Sequence, residues 1–179
     1  MNQSSCFQNN LVDLSNAPWT MHEFFAGSGL VAYGLKGMFK PIWANDISEQ
    51  KAAVYKENFG DGYFKLDDIK NINGKNLPFA NLSWASFPCQ DLSLAGSLGG
   101  IHASRSGLVW EWLRVLDEMP NKPKILLLEN VLGLLSTNGG DNYRVLHMSL
   151  GERGYRCGAI VLNASHFVPQ SRPRVCVIA

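Results

Sequence analysis

The residue in this sequence best suited to covalent chemistry is a cysteine that follows a short, mostly apolar run. The run, residues 83–87, ends at Pro88, which cannot donate to a sheet ladder and so marks the change from strand to loop. Cys89 is therefore predicted at the rim of a sheet, where open α/β sheets bind their ligands. A thiol there can act as a nucleophile. A cysteine considered alone is at least as often a small buried apolar residue. The role of Cys89 must therefore be judged from the rest of the chain.

Acidic side chains follow other apolar runs in the same way. Asp46, Asp68 and Glu129 each come at the predicted carboxyl end of a different strand, and a glycine-rich turn, residues 26–29, follows the first strand. Because the carboxyl ends of parallel strands share one edge, we expect these groups to converge with Cys89 on one crevice. Singly, each acid is more often a solvated loop residue.

Alternating strand and helix patterns predict an α/β domain of three layers around a mostly parallel sheet. The predicted strands are 20–25, 41–44, 62–66, 83–87, 124–128, 155–162 and 174–178, and the predicted helices are 30–38, 49–58, 108–119 and 143–150. The last two strands are expected to form an antiparallel edge. Residues 91–107 contain several glycines and no steady apolar period, so they are predicted to form a long loop and a candidate lid.

Composition restricts the class of protein. With 179 residues, a net charge of +1 and 17% charged residues, the chain resembles an ordinary single domain without the basic stripe that neutralises phosphates. The four cysteines lack paired spacing, which argues against a disulfide framework and a zinc site. No apolar run approaches the ~18 residues of a membrane span, and the polar N-terminus lacks a signal-peptide core. A soluble intracellular protein without a metal is expected.

The glycine-rich turn also fits a nucleotide-binding fingerprint, in which Gly27, Gly29 and Ala32 precede an acid at position 46. This short pattern is weak and leaves a nicotinamide dehydrogenase open. Glu23, just inside the first strand, would repel a pyrophosphate and suits a cationic ligand better. S-adenosylmethionine carries a sulfonium and an ammonium and no phosphate, so the charge of Glu23 favours it as the cofactor.

In their order and spacing these segments resemble the motifs of C5-cytosine DNA methyltransferases. The matching segments are residues 23–29, 45–47, 68–69, 87–90, 129–131 and 170–174. The resemblance implies a Rossmann-like methyltransferase fold, with residues 1–18 as an N-terminal extension and residues 19–179 as the catalytic and cofactor-binding domain. It covers about half an enzyme, because the family continues into a target-recognition region and two further motifs.

The resemblance also implies which residues hold the cofactor, S-adenosylmethionine, and its product S-adenosylhomocysteine. Phe25 would pack on the adenine, Asp46 would accept from the ribose hydroxyls, and Asp68 would accept from the adenine amino group. The full implied set is Phe25, Ala26, Gly27, Ser28, Gly29, Asp46, Ile47, Asp68, Ile69, Pro88 and Leu108.

The catalytic set implied by the resemblance is Pro88, Cys89, Gln90, Glu129, Asn130, Arg172 and Arg174. The Cys89 thiolate would attack carbon 6 of cytosine and so turn carbon 5 into a nucleophile. Protonated Glu129 would hydrogen-bond ring nitrogen 3, and Arg174 would hold the carbonyl oxygen of the base. Asn130 would orient the loop that bears Cys89, and Arg172 would assist electrostatically.

The expected partner is double-stranded DNA with a flipped cytosine, because the target carbon is buried in the stacked duplex. A C-terminal target-recognition region is expected as a further partner, in cis or in trans, and no membrane is expected. The expected location is the cytoplasm of a bacterium or phage host, or a nucleus if the source is eukaryotic. Two alternatives stay open: a tRNA cytosine-5 methyltransferase and an inactive fragment that binds only the cofactor or a partner.

Overall fold

The computed structural model describes residues 11–88 and 107–179, and these residues form a seven-stranded sheet. The strands are β1 Trp19–Phe24, β2 Phe39–Asp46, β3 Phe64–Leu66, β4 Leu82–Ala85, β5 Ile125–Asn130, β6 Gly158–Asn163 and β7 Pro173–Ile178. Their order is β3-β2-β1-β4-β5-β7-β6. Strands β1 to β5 pair in parallel, and β7 pairs antiparallel with both β5 and β6. The mostly parallel sheet with an antiparallel edge is thus confirmed.

The helices of the described part cover both faces of this sheet. They are α1 Leu30–Gly34, α2 Glu49–Phe59, α3 Leu108–Glu118, α4 Gly133–Ser136 and α5 Asp141–Glu152. Ser48 begins α2 as its N-cap, because its side chain accepts from the backbone N–H of Lys51. None of these helices is both long and apolar enough to cross a membrane.

Several predicted element boundaries were wrong by two or more residues, among them the end of the second strand, which extends through Asp46. The helix predicted over 30–38 ends at Gly34, because Gly37 takes a φ of 87° and returns the chain to β2. Glu129 and Asn130 do not follow β5 but form its last two residues. The strand extends that far because both residues pair with β7, Glu129 with Cys176 and Asn130 with Val175.

Two apolar cores lie on opposite faces of the sheet. On one face, α3 packs over the centre, and the fully buried Trp112 donates from Nε1 to Oγ of Ser83 at 3.1 Å. On the other face, Tyr55 and Phe59 of α2 pack against β1 to β3. This second core lies beneath the glycine-rich turn, so its packing determines the position of the turn.

Candidate active site

The turn between β1 and α1 contains three residues with positive φ: Phe25 at 56°, Gly27 at 57° and Gly29 at 88°. Gly29 also packs against α2, since a Cβ atom added there would lie 2.9 Å from Cδ2 of Phe59. Both the backbone and this ring therefore exclude a side chain at Gly29. The nearest atom to a Cβ added at Gly27 is Cδ of Lys51 at 4.0 Å, so Gly27 faces open space.

Asp46, the last residue of β2, fixes the position of this turn. Its Oδ2 accepts from the backbone N–H of Gly27 at 2.8 Å, and its Oδ1 accepts from that of Ser48 at 2.9 Å. Each carboxylate oxygen can accept a second hydrogen bond. Asp46 can therefore hold the turn and still accept from a ligand hydroxyl.

A cavity of about 220 Å³ opens beside this turn, between the carboxyl ends of β1, β2 and β4. Its lining contains seven of the residues predicted to bind the cofactor: Phe25, Asp46, Ile47, Asp68, Ile69, Pro88 and Leu108. Carboxylates face it at Asp46, Asp67 and Asp68, with Lys51 as a basic neighbour. The surplus of negative charge makes the cavity better suited to a cation than to a phosphate.

A second cavity of about 340 Å³ adjoins the first and is lined by the glycine-rich turn and by Glu129. Ala26, Gly27 and Ser28 line this second cavity, and Phe25, Lys51 and Ser86 line both. Gly29 lines neither cavity, because it faces Phe59. All the predicted cofactor residues except Gly29 therefore line one of these two adjoining cavities, and Glu129 lines the second.

Glu129 and Arg174 form an ion pair on neighbouring strands, with 2.8 Å between Oε1 of Glu129 and Nε of Arg174. Both side chains are partly exposed. Arg174 also donates from a terminal nitrogen to the carbonyl of Pro173 at 2.8 Å. The two residues predicted to hold opposite sides of the base are thus in direct contact, so an incoming base must share or replace this ion pair.

Asn130 is buried and connects the ends of β5 and β4. Its Nδ2 donates to the carbonyl of Phe87 at 3.0 Å, and its Oδ1 accepts from the backbone N–H of Val131 at 2.8 Å. Phe87 precedes Cys89 by two residues. Asn130 therefore fixes the backbone from which the candidate nucleophile follows.

The other predicted catalytic residues either line neither cavity or lie outside the described ranges. The side chain of Arg172 is exposed, and its backbone N–H donates to Oδ1 of Asn163 at 2.9 Å. Cys89 and Gln90 lie outside the described residues, as does nearly all of the predicted loop 91–107.

The electrostatic role predicted for Glu23 was wrong. Glu23 is fully buried beneath the turn, where Oε2 accepts from the hydroxyl of Tyr55 at 3.1 Å and Oε1 has no partner in the described ranges. Burial raises the pKa of Glu23 to about 8, although the hydrogen bond from Tyr55 opposes this shift. At neutral pH the carboxyl is therefore mostly uncharged, and the negative charge beside the ligand comes from the acids that line the first cavity.

Two residues that line the first cavity, Asn45 and Ser86, were not among the predicted cofactor-binding residues. Asn45 donates from Nδ2 to the carbonyls of Lys65 and Asp67 at 2.9 and 2.8 Å, which joins β2 to the segment that carries Asp68. Ser86 accepts from the indole N–H of Trp84 at 2.7 Å. The position of Asn45 beside Asp46 was the available clue, because a buried amide at a strand end needs partners.

Arg114 of α3 holds the segment that begins at Asp68. Its terminal nitrogens donate to the carbonyls of Ile69 and Ile72, each at 3.1 Å, and it forms ion pairs with Glu111 and Glu118 of its own helix. Arg114 thus links α3 to the floor of the first cavity, where Ile69 lies.

The fold and the crevice define a Rossmann-like methyltransferase, and comparisons with known proteins give its family. Residues 19–179 match the family described as C-5 cytosine-specific DNA methylase, so the chain belongs to that family.

Curated relatives are bacterial Type II methyltransferases. M.Bsp6I of Bacillus sp. (strain RFL6) is 34% identical over 159 residues, which is 86% of this chain and 50% of the relative. M.BsuFI of Bacillus subtilis is 32% identical over 161 residues, which is 89% of this chain and 38% of the relative. Among solved structures, the Dnmt2 methyltransferase of S. pombe superposes with a TM-score of 0.70 at 25% identity, over 89% of this chain and 48% of that one. The chain spans about half the length of these relatives, or less.

Proposed function

We propose that this chain is the donor-binding and nucleophile-bearing part of a DNA cytosine-5 methyltransferase. Family membership and the Type II relatives support this function. The observation that supports it most is the convergence of Phe25, Asp46, Asp68 and Pro88 on a cavity that adjoins the one lined by Glu129. Because M.Bsp6I and M.BsuFI are bacterial proteins, the proposed location is the bacterial cytoplasm.

S-adenosylmethionine is the proposed methyl donor, and the residues of the first cavity suit it. Asp46 and Asp68 offer acceptors for ribose hydroxyls and for an adenine amino group, and Phe25, Ile47 and Ile69 offer apolar surface for the ring. Gly27 has no side chain, which lets the donor approach the backbone. When bound, this group supplies an electrophilic methyl.

The side chains on the acceptor side act on the cytosine. The thiolate of Cys89 adds to carbon 6 and forms a carbon–sulfur bond, and the displaced π electrons make carbon 5 nucleophilic. When Arg174 moves away, Glu129 takes up a proton from water and donates it in a hydrogen bond to ring nitrogen 3, which disperses the charge that flows into the ring. Once carbon 5 carries its new methyl group, water takes the proton of carbon 5, the electrons of that carbon–hydrogen bond re-form the ring double bond, and the carbon–sulfur bond breaks to return the Cys89 thiolate.

Asn130 and Arg174 prepare this step. The hydrogen bond from Asn130 to Phe87 limits the movement of the chain just before Cys89. Arg174, already beside Glu129, is proposed to move onto the carbonyl oxygen of the base. The partner is duplex DNA with its cytosine turned out of the stack, gripped in part by a target-recognition region of the kind that the family carries.

Covalent trapping on a fluorinated base tests the function. We expect the chain, given S-adenosylmethionine and a pool of duplex DNA containing 5-fluorocytosine, to form an adduct that survives denaturation, because fluorine at carbon 5 blocks the release of the enzyme. Cys89→Ser should abolish the adduct, and Cys157→Ser, a partly exposed cysteine on another part of the surface, should leave it unchanged.

The same assay is run on a chimera in which residues 19–179 replace the matched half of M.Bsp6I, and with fluorinated tRNA in place of DNA. An adduct in the chimera alone still supports the proposal, since the relative supplies the remaining half. Trapping that survives Cys89→Ser, trapping on tRNA alone, or no adduct in either protein contradicts it.

A further inference from the structure

One basic side chain faces both cavities of the crevice and has no role in the function proposed above. Lys51 of α2 lines the first cavity and the second, and among the described residues it is the only basic one in either lining. Within the described part of the chain, Lys51 forms no ion pair. The other charged side chains of the two linings are all acids: Asp46, Asp67, Asp68 and Glu129.

The stability of α2 does not account for a lysine at position 51. Lys51 lies in the first turn of α2, whose N-cap is Ser48, and the helix dipole disfavours a positive charge at that end. The residues three and four positions further along, Val54 and Tyr55, are not carboxylates, so the helix offers Lys51 no ion pair at helical spacing. A contact with a ligand in the crevice gives this charge a purpose that the helix does not.

The stem of Lys51 passes beside the glycine-rich turn. Its Cδ lies 4.0 Å from a Cβ atom added at Gly27, and no other atom comes as near to that position. The side chain of Lys51 is exposed, and its ammonium lies two bonds beyond Cδ. Phe25 and Ser86 also line both cavities, so these two residues and Lys51 mark the junction between them.

The amino-acid part of S-adenosylmethionine reaches this junction when the donor binds as proposed above. Asp46 and Asp68 place the ribose and the adenine in the first cavity, whereas the methyl group must face the second cavity, which Glu129 lines. The amino-acid part is attached to the same sulfur as the methyl group, so its α-carboxylate lies near the junction. The acids of the first cavity repel that carboxylate.

The backbone of the glycine-rich turn has few donors left for an α-carboxylate. The N–H groups of Ala26, Gly27 and Gly29 already donate, at 2.9, 2.8 and 3.0 Å, to main-chain carbonyls or to Asp46. A carboxylate that leaves water needs hydrogen-bond donors or a cation in exchange. The ammonium of Lys51 supplies a positive charge and three N–H donors.

We propose that Lys51 is a specificity-determining residue for the methyl donor, because its ammonium binds the α-carboxylate of the donor's amino-acid part. The inference rests on the proposed function, since it takes S-adenosylmethionine as the donor. The product S-adenosylhomocysteine carries the same carboxylate, so Lys51 holds the product as well. Adenosine derivatives without a carboxylate gain nothing from Lys51, and the residue therefore selects against them.

The test is titration calorimetry with three ligands: S-adenosylmethionine, S-adenosylhomocysteine and decarboxylated S-adenosylmethionine. We expect Lys51→Gln to weaken the binding of the first two by at least about fivefold, because an ion pair at a partly exposed site is lost. The decarboxylated donor should bind to this variant as tightly as to the wild type or more tightly, since it carries two positive charges and no negative one. Lys51→Arg keeps the charge and should stay within about twofold of the wild type for all three ligands.

Lys70→Gln is the matched control. It removes the same charge two residues after Asp68, but Lys70 lines neither cavity, so it should change the affinity for each ligand by less than about twofold. Thermal unfolding shows whether Lys51→Gln disturbs the fold. Its Tm should lie within about 2 °C of the wild-type value or above it, because a cation leaves the first turn of α2.

Three outcomes overturn the inference and leave the proposed function standing. They are an equal loss for all three ligands in Lys51→Gln, whatever its Tm, an unchanged affinity of that variant for S-adenosylmethionine, and an equal loss in Lys70→Gln. The titrations are repeated on the M.Bsp6I chimera, which is used for the comparison where the chain alone binds too weakly to measure. No binding of S-adenosylmethionine by either protein contradicts the proposed function and this inference together.

Discussion

The donor side and the base side of the crevice differ in how far this chain completes them. The first cavity is bordered by residues of β2, α2 and α3 and by the segments that follow β1, β3 and β4, and Asp46 in its wall accepts a hydrogen bond from Gly27 of the glycine-rich turn. Glu129 and Arg174, in contrast, lie at the margin of a sheet face that is open to water. The wall of the first cavity is thus fixed by contacts among the described residues, whereas the ion pair proposed to meet the base stays partly exposed to water.

The glycine-rich turn offers the largest expected effect on the donor side. Gly29→Ala should lower the free energy of unfolding by about 3 kcal/mol or more, because it adds backbone strain at a φ of 88° to a collision with Phe59. Gly37→Ala is the control, since its φ is 87° but no atom lies within 4 Å of the added Cβ. It should cost only about 1–2 kcal/mol. Equal losses in urea unfolding would mean that the turn does not depend on its contact with α2.

Glu23 should give the donor side an unusual dependence of stability on pH. Its folded pKa is raised from 4.5 to about 8, so its contribution to stability is complete below pH 4.5 and is lost as pH rises towards 8. By about pH 7 the loss of unfolding free energy amounts to roughly 3 kcal/mol, compared with its value below pH 4.5. The difference in unfolding free energy between Glu23→Gln and the wild type should therefore grow in favour of the variant from pH 5 to 8. A constant difference across that range would contradict the burial of a neutral carboxyl.

Arg114 offers the smallest expected effect and tests whether α3 supports the donor cavity. Arg114→Met should lower stability by about 1 kcal/mol and weaken donor binding about threefold, because the carbonyls of Ile69 and Ile72 lose their donor. Arg144→Met is the control: Arg144 forms an exposed ion pair with Asp141 on α5, far from Ile69 in sequence. If the two variants bind the donor equally well, α3 does not act on the cavity.

Sequence patterns predicted the elements well where local signals were strong. The apolar run before Glu129 and the glycines after β1 gave the right strands and turn, and the predicted antiparallel edge is present. Long-range contacts caused the errors. Pairing with β7 extends β5 through Asn130, and Tyr55, 32 residues away, buries the carboxyl of Glu23.

The residues of the candidate site divide in the same way, into those with a local sequence signal and those placed by long-range contacts. Residues within recognisable motifs, such as Asp46 and Asp68, could be predicted, whereas Lys51 and Ser86 line both cavities without any motif of their own. The contact between Glu129 and Arg174 joins positions 45 residues apart on antiparallel strands. No local sequence pattern could predict this contact. The roles of these residues in catalysis stay predictions.

Titration calorimetry of the isolated chain with S-adenosylmethionine tests most directly whether the donor side is complete. We predict saturable one-to-one binding by the wild type and by Glu129→Gln, and binding at least about tenfold weaker by Asp68→Asn. Asn at position 68 keeps an acceptor for the backbone N–H of Lys70, which Oδ1 of Asp68 now accepts at 3.0 Å, but loses the second carboxylate oxygen. Absence of binding by the wild type, or an equal loss in Glu129→Gln and Asp68→Asn, would contradict the account.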